Sequence, residues 1–184
     1  MLSFVARLPR PTQLAFRKSA QCALVGLLLD ALTRVLNRVG VRVLALRRRC
    51  FSVRKLNELL VLALHGRATV SCQLPFAALE FSEPEPDFAI LPLGDYDSDH
   101  PSEAYLIIEV SESSLAMDRG KKLRLYASCA VPEYWVVNLP ERCIEVYTGP
   151  IAGAYSHVER YERGQSIRLV AFPDVSLAVS DVLK

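Results

Sequence analysis

The sequence has few of the ligands that soft metal sites and disulfide scaffolds require. Its five cysteines (Cys22, Cys50, Cys72, Cys129, Cys143) lie far apart with no CxxC pair, and its three histidines (His65, His100, His157) are isolated. A zinc ligand set and a disulfide framework are therefore excluded, and the thiols read as reduced cysteines of a cytoplasmic protein. Glycine, at 8 residues, and proline, at 11, are too sparse and scattered for a collagen-like or low-complexity chain. No apolar run reaches the ~20 residues of a bilayer span. The longest, Ala23–Leu29, stops at Asp30, so no membrane partner is expected.

What is present is 184 residues, 51% of them hydrophobic, enough to bury a sizeable core in one domain with an appendage. The formal net charge of +2 hides an asymmetry. Residues 1–60 hold twelve Lys or Arg against two acids (+10), and residues 61–184 hold ten against eighteen (−8). Two such halves do not read as one compositional unit. We divide the chain into 1–51, a basic Leu/Arg-rich segment, helical or poorly ordered, and 52–184, the domain proper. Three readings of the first part stay open: a basic helical arm for nucleic acid or lipid, a targeting segment, and a frame-shifted or wrongly started extension. The last is preferred.

From Ser52 the pattern is orderly. Ser52–Leu64 reads as a helix with Ser52 as N-cap, Gly66 just past its end, and Leu56, Leu59, Leu60 and Ala63 as its apolar stripe. Ala68–Leu74 reads as a strand. The prolines of Ser82-Glu-Pro-Glu-Pro-Asp87 deliver an extended chain into the apolar run Phe88–Leu91. Tyr105-Leu-Ile-Ile-Glu-Val110 is the strongest buried strand, Leu115–Ala130 a second helix, and Glu133–Asn138 a further strand. Cys143–Tyr147, His157–Tyr161 and Ser166–Val170 read as a C-terminal antiparallel meander. This order predicts an α/β domain with a mixed central sheet.

Glu109, a carboxylate inside a buried strand, demands compensation by a cation or a donor. Asp87 stands at the mouth of the preceding strand, and neighbouring strands would let the two acids converge. Two hard oxygen ligands suit Mg²⁺ and do not suit zinc. On the following helix Lys122 shares a face with Leu125, Tyr126 and Cys129 and so points inward, whereas Lys121 aligns with Arg124 and Ser128 and points to solvent. Metal, water and an inward lysine form a constellation for phosphodiester hydrolysis. The sober alternative is a structural buried Glu109–Lys122 ion pair. The Ser111–Ser114 cluster lacks a nearby histidine and reads as capping and loop chemistry. Asp95, Asp97 and Asp99 lack the Gly and Glu of a calcium loop, and Tyr134 with Trp135 reads as core rather than as a base-stacking platform.

Four blocks, Glu85-Pro-Asp87, Ile107-Ile-Glu-Val-Ser-Glu-Ser-Ser114, Asp118-Arg-Gly-Lys-Lys-Leu-Arg-Leu-Tyr126 and Val131-Pro-Glu-Tyr-Trp-Val-Val137, occur in the order that resembles the Uma-two family, restriction-endonuclease-like proteins of the PD-(D/E)XK nuclease superfamily. The resemblance covers roughly residues 55–184. It implies a restriction-endonuclease-like core, a mixed central β-sheet flanked by helices. It also implies Asp87 and Glu109 as catalytic metal ligands, the Val110 carbonyl facing the metal, and Lys122 in place of the lysine usual two residues after the glutamate, where this chain has Ser111. The cofactor so implied is Mg²⁺, with Mn²⁺ as its substitute, and the partner is nucleic acid, namely DNA. Residues 1–50 depart from the family, which opens on a strand pair with a Glu and a Gly-Glu turn and then a helix beginning with a His. The −8 charge of residues 61–184 opposes DNA binding unless the basic segment, Mg²⁺ or homodimerisation offsets it. The leading expectation is a metal-dependent endonuclease. The alternatives are an inactive nuclease fold kept as a binding or dimerisation module, and a truncated or frame-shifted non-functional copy.

Overall fold

A computed structural model describes residues 13–78 and 83–184, with side chains from residue 32 onward. The Cys22 thiol, the side chains of the 23–29 run, residues 1–12 of the basic segment and Ser82 lie outside the described residues. The chain divides into two compact units, Met1–Leu44 and Ala45–Lys184. In the first, Leu32, Val35, Leu36, Val39 and Val41 are exposed along the helix. No helix among the described residues is long and apolar enough to cross a membrane.

Helix α1 runs Gln13–Leu64, so the helix expected to begin at Ser52 has no start there. Residues 13–51 are rich in Leu and Arg, both good helix formers, and contain no proline that would stop the helix. Ser52 therefore caps nothing. Its buried hydroxyl instead donates to the Val182 carbonyl at 2.7 Å. The other end is as expected. Gly66 takes a left-handed φ of 71°, and the Arg67 and Ala68 amides return to the Leu64 carbonyl at 2.9 and 3.1 Å.

In the second unit six strands form one sheet in the order β1 (Thr69–Cys72), β2 (Phe88–Leu91), β3 (Leu106–Ser111), β4 (Glu133–Asn138), β5 (Cys143–Ile151), β6 (Ala154–Glu162). Every pair is antiparallel except β3 with β4. A parallel pair needs a crossover, which the helical stretch 115–128 provides. That stretch is α2 (Leu115–Met117), a π-helical turn (Asp118–Lys122) and α3 (Leu123–Ser128). The mixed central sheet agrees with the α/β expectation. The closing meander is β4–β5–β6. Ser166–Arg168 (β7) does not join it and pairs instead with β8 (Ser176–Ala178) in a second, two-stranded sheet, ahead of the short helix α4 (Val179–Val182). β6 is almost wholly exposed, whereas Ile167 of β7 and Leu177 of β8 are buried in the core that holds Leu56, Leu60 and Leu64.

The alternation of β2, β3 and β4 sorts their side chains onto two buried layers. Phe88, Ile90, Leu106, Ile108, Val110, Trp135 and Val137 pack with Leu56, Leu60 and Leu64 of α1 and with the C-terminal residues Leu177, Val179 and Val182. Ala89, Leu91, Ile107, Tyr134 and Val136 pack beneath Tyr126 of α3 and Phe76. Tyr134 and Trp135 are both fully buried, so they belong to the core as expected.

Leu60→Ala is expected to destabilise the fold by about 2–5 kcal/mol in denaturant titration, the usual cost of truncating a fully buried leucine. A loss below about 1 kcal/mol would mean that α1 does not pack on the sheet as described.

Candidate active site

The two acids meet at β3: Glu109 lies on it and Asp87 just before its neighbour β2. β2 and β3 pair Phe88 with Ile108 and Ala89 with Ile107. Asp87 immediately precedes β2, and its carboxylate reaches β3 by accepting the Val110 amide. β3 is flanked by β2 on one side and β4 on the other, which explains why Glu109 is only 4% exposed. Asp87 is equally buried.

Glu109 is held from the crossover helix. Lys122 Nζ lies 2.8 Å from Glu109 Oε2, and the Tyr126 hydroxyl donates to Oε1 at 3.0 Å. The same ammonium lies 3.4 Å from Asp118 Oδ1, while the Ser111 and Ser114 hydroxyls donate to the other Asp118 oxygen. Ser114 makes no side-chain cap, so the serine cluster serves to hold Asp118 rather than the helix end. The π-helical turn places Asp118 and Lys122, four residues apart, side by side over the strand. Asp118 Oδ1 is buried without a hydrogen bond, with the lysine charge beside it.

Burial pushes the Glu109 carboxyl up from its ordinary 4.5 to about 7, and the Lys122 ammonium offsets this only in part, with Asp118 and Asp87 adding repulsion. For Lys122, burial opposes the charge, but Glu109 and Asp118 outweigh it and raise the ammonium above its ordinary value. Burial, then the Glu109 charge, raises the Tyr126 hydroxyl strongly, so it stays a donor.

Asp87 is compensated from the opposite direction. Its Oδ2 accepts the Val110 amide at 2.8 Å, and its Oδ1 accepts the Arg49 guanidinium at 2.5 Å and the Gln73 side chain at 3.3 Å. Arg49 Nε also donates to the Val110 carbonyl at 3.3 Å. The structure thus brings Asp87, Glu109, Val110 and Lys122, the residues singled out in the sequence, into one neighbourhood. Arg49, Gln73, Asp118 and Tyr126 join them without having been anticipated. Arg49 had a signal: the helical face of Leu56 and Leu60, carried back seven residues from Leu56, lands on Arg49.

Three buried or rim carboxylates and a main-chain carbonyl are hard oxygen donors, the chemistry that suits a divalent cation such as Mg²⁺. One Asp118 oxygen has no hydrogen-bond donor, and burial raises the Glu109 carboxyl despite Lys122. The donor set fits such an ion. A second acidic group, Glu141, Cys143 and Glu145, differs in being already compensated. Arg119 pairs with both glutamates, Arg160 pairs with Glu141, and Asn138 and Tyr147 donate to Glu145.

The fold is nuclease-like. A crystal structure of a "putative nuclease belonging to DUF820" from Anabaena variabilis ATCC 29413 matches it with a TM-score of 0.58 at 13% identity, over 73% of this chain and 79% of that chain. The chain belongs to the Uma2 family, whose model, described as "Putative restriction endonuclease", matches residues 52–180. No curated protein is significantly similar in sequence.

A carboxyl raised in the folded state stabilises the fold fully below its unfolded pKa, and that contribution is lost as pH rises through the folded value. Glu109 should therefore make the wild type lose stability as pH climbs from about 4.5 to about 7. Glu109→Gln is expected to flatten that part of the pH–stability profile measured by denaturant unfolding. An unchanged slope would show that Glu109 titrates as an ordinary surface carboxylate.

Proposed function

We propose that this nuclease-like protein hydrolyses phosphodiester bonds of DNA with a bound Mg²⁺ ion, Mn²⁺ serving in its place. The observation that supports the reading is the meeting of both acids at β3, Glu109 under Lys122 and Asp87 on the Val110 amide. Asp87, Glu109 and the Val110 carbonyl would hold the cation. When bound, such an ion supplies Lewis-acid stabilisation to the reacting phosphate and lowers the pKa of a coordinated water.

The remaining work falls to the chain itself. Tyr126 and Lys122 each occupy one Glu109 oxygen and so fix the carboxylate plane. Lys122 is 22% exposed where Glu109 is 5%, so the ammonium stands between the buried acid and an approaching substrate. There it can hold an attacking water and stabilise the charge that grows on the phosphate oxygens. Water is added across the P–O ester bond, one proton going to the departing oxygen. Asp118 keeps the lysine charged and aimed. The match to a model described as a restriction endonuclease supports nucleic acid as the substrate class.

The test is nicking of supercoiled DNA at millimolar Mg²⁺ or Mn²⁺ by the full chain. Asp87→Asn, Glu109→Gln and Lys122→Met are each expected to lower the rate at least about 100-fold while leaving the circular dichroism spectrum unchanged. A folded wild type that cleaves no DNA with either ion, or a Glu109→Gln variant with full activity, would overturn the reading.

A further inference from the structure

Arg49 occupies two of the oxygens that the proposed ion would need. Its guanidinium spans Asp87 Oδ1 at 2.5 Å and the Val110 carbonyl at 3.3 Å, one side-chain and one main-chain oxygen on either side of the β2–β3 register. A divalent ion bound to those same oxygens at the ~2.1 Å typical of Mg²⁺ would share their space with a cationic fork, which excluded volume and like charge both forbid. We propose that Arg49 is a built-in competitor for the metal, holding the site in a closed, ion-free form until its side chain swings out. The inference rests on the reading of Asp87, Glu109 and Val110 as a divalent-cation site.

Charge balance supports the exchange. Asp87, Glu109 and Asp118 present three carboxylates to two cations, Arg49 and Lys122. With all three carboxylates ionised, replacing the guanidinium by a divalent ion sets three positive charges against three negative ones. Geometry supports it as well. The Arg49 side chain is 38% exposed while that of Asp87 is 6%, so the arginine lies between the acid and solvent and can rehydrate on leaving. Asp87 would keep its Val110 amide and Gln73 donors throughout. The arginine comes from α1 and the oxygens from β2 and β3, so its departure breaks no strand pairing.

The test is calorimetric titration of Mg²⁺ and Mn²⁺ into the full chain, as wild type, Arg49→Gln and Asp87→Asn. Arg49→Gln is expected to bind at least about tenfold more tightly than wild type, and Asp87→Asn to bind neither ion. Equal affinity of wild type and Arg49→Gln, with binding still lost in Asp87→Asn, would overturn the competition and leave the metal site standing. No binding by either, in folded protein, would overturn both readings. A second readout needs no variant at the site: in ¹⁵N-labelled wild type the hydrogen-bonded Arg49 Nε–H resonance should shift towards the solvent-exposed position on saturation with Mg²⁺. An unmoved resonance at saturation would also refute the competition.

Discussion

A carboxylate in the central strand of a sheet sets the terms for this molecule. Glu109 sits on β3, hydrogen-bonded on both edges and covered on its own face, where an uncompensated charge would cost several kcal/mol. The crossover helix compensates it, and the features of that helix follow from the task. The π-helical turn brings Lys122 and Asp118 together, Tyr126 one turn on supplies the second donor, and Ser111 and Ser114 steady Asp118. Without the parallel β3–β4 pairing no crossover would pass over this face, and the lysine would have no route to the acid.

Burial outweighs the lysine at this site, and the Glu109 carboxyl is raised to about 7. The group Glu141, Cys143 and Glu145 shows the contrast within one chain. Burial works against the Glu145 charge too, but Arg119, Asn138 and Tyr147 outweigh it and hold that carboxyl below its ordinary value. Buried carboxyls with shifted pKa values cluster at sites of chemistry.

The strands around the site were legible because apolar runs bounded by proline and polar loops leave little choice. Phe88–Leu91 and Glu133–Asn138 coincide with their sequence bounds. Lys122 was legible through its helical stripe, even though the helix is interrupted by a π turn that leaves the inward face intact. Tyr126 was read only as a stripe residue, since periodicity reports which face a side chain takes and not what its hydroxyl meets. Arg49 was hidden for a different reason: its run of arginines resembled an appended basic segment, so the face of Leu56 and Leu60 was not followed back past Ser52. The path of Ser166–Arg168 was also not legible, because a short alternating segment pairs equally well with either of two edges.

The most direct measurement of the central claim is anomalous diffraction from crystals of the wild type grown with Mn²⁺. An anomalous peak bounded by Asp87, Glu109 and the Val110 carbonyl, with the Arg49 side chain turned away, is the predicted result. A peak elsewhere in the molecule, with Arg49 still on Asp87 and Val110 at saturating Mn²⁺, would contradict the account.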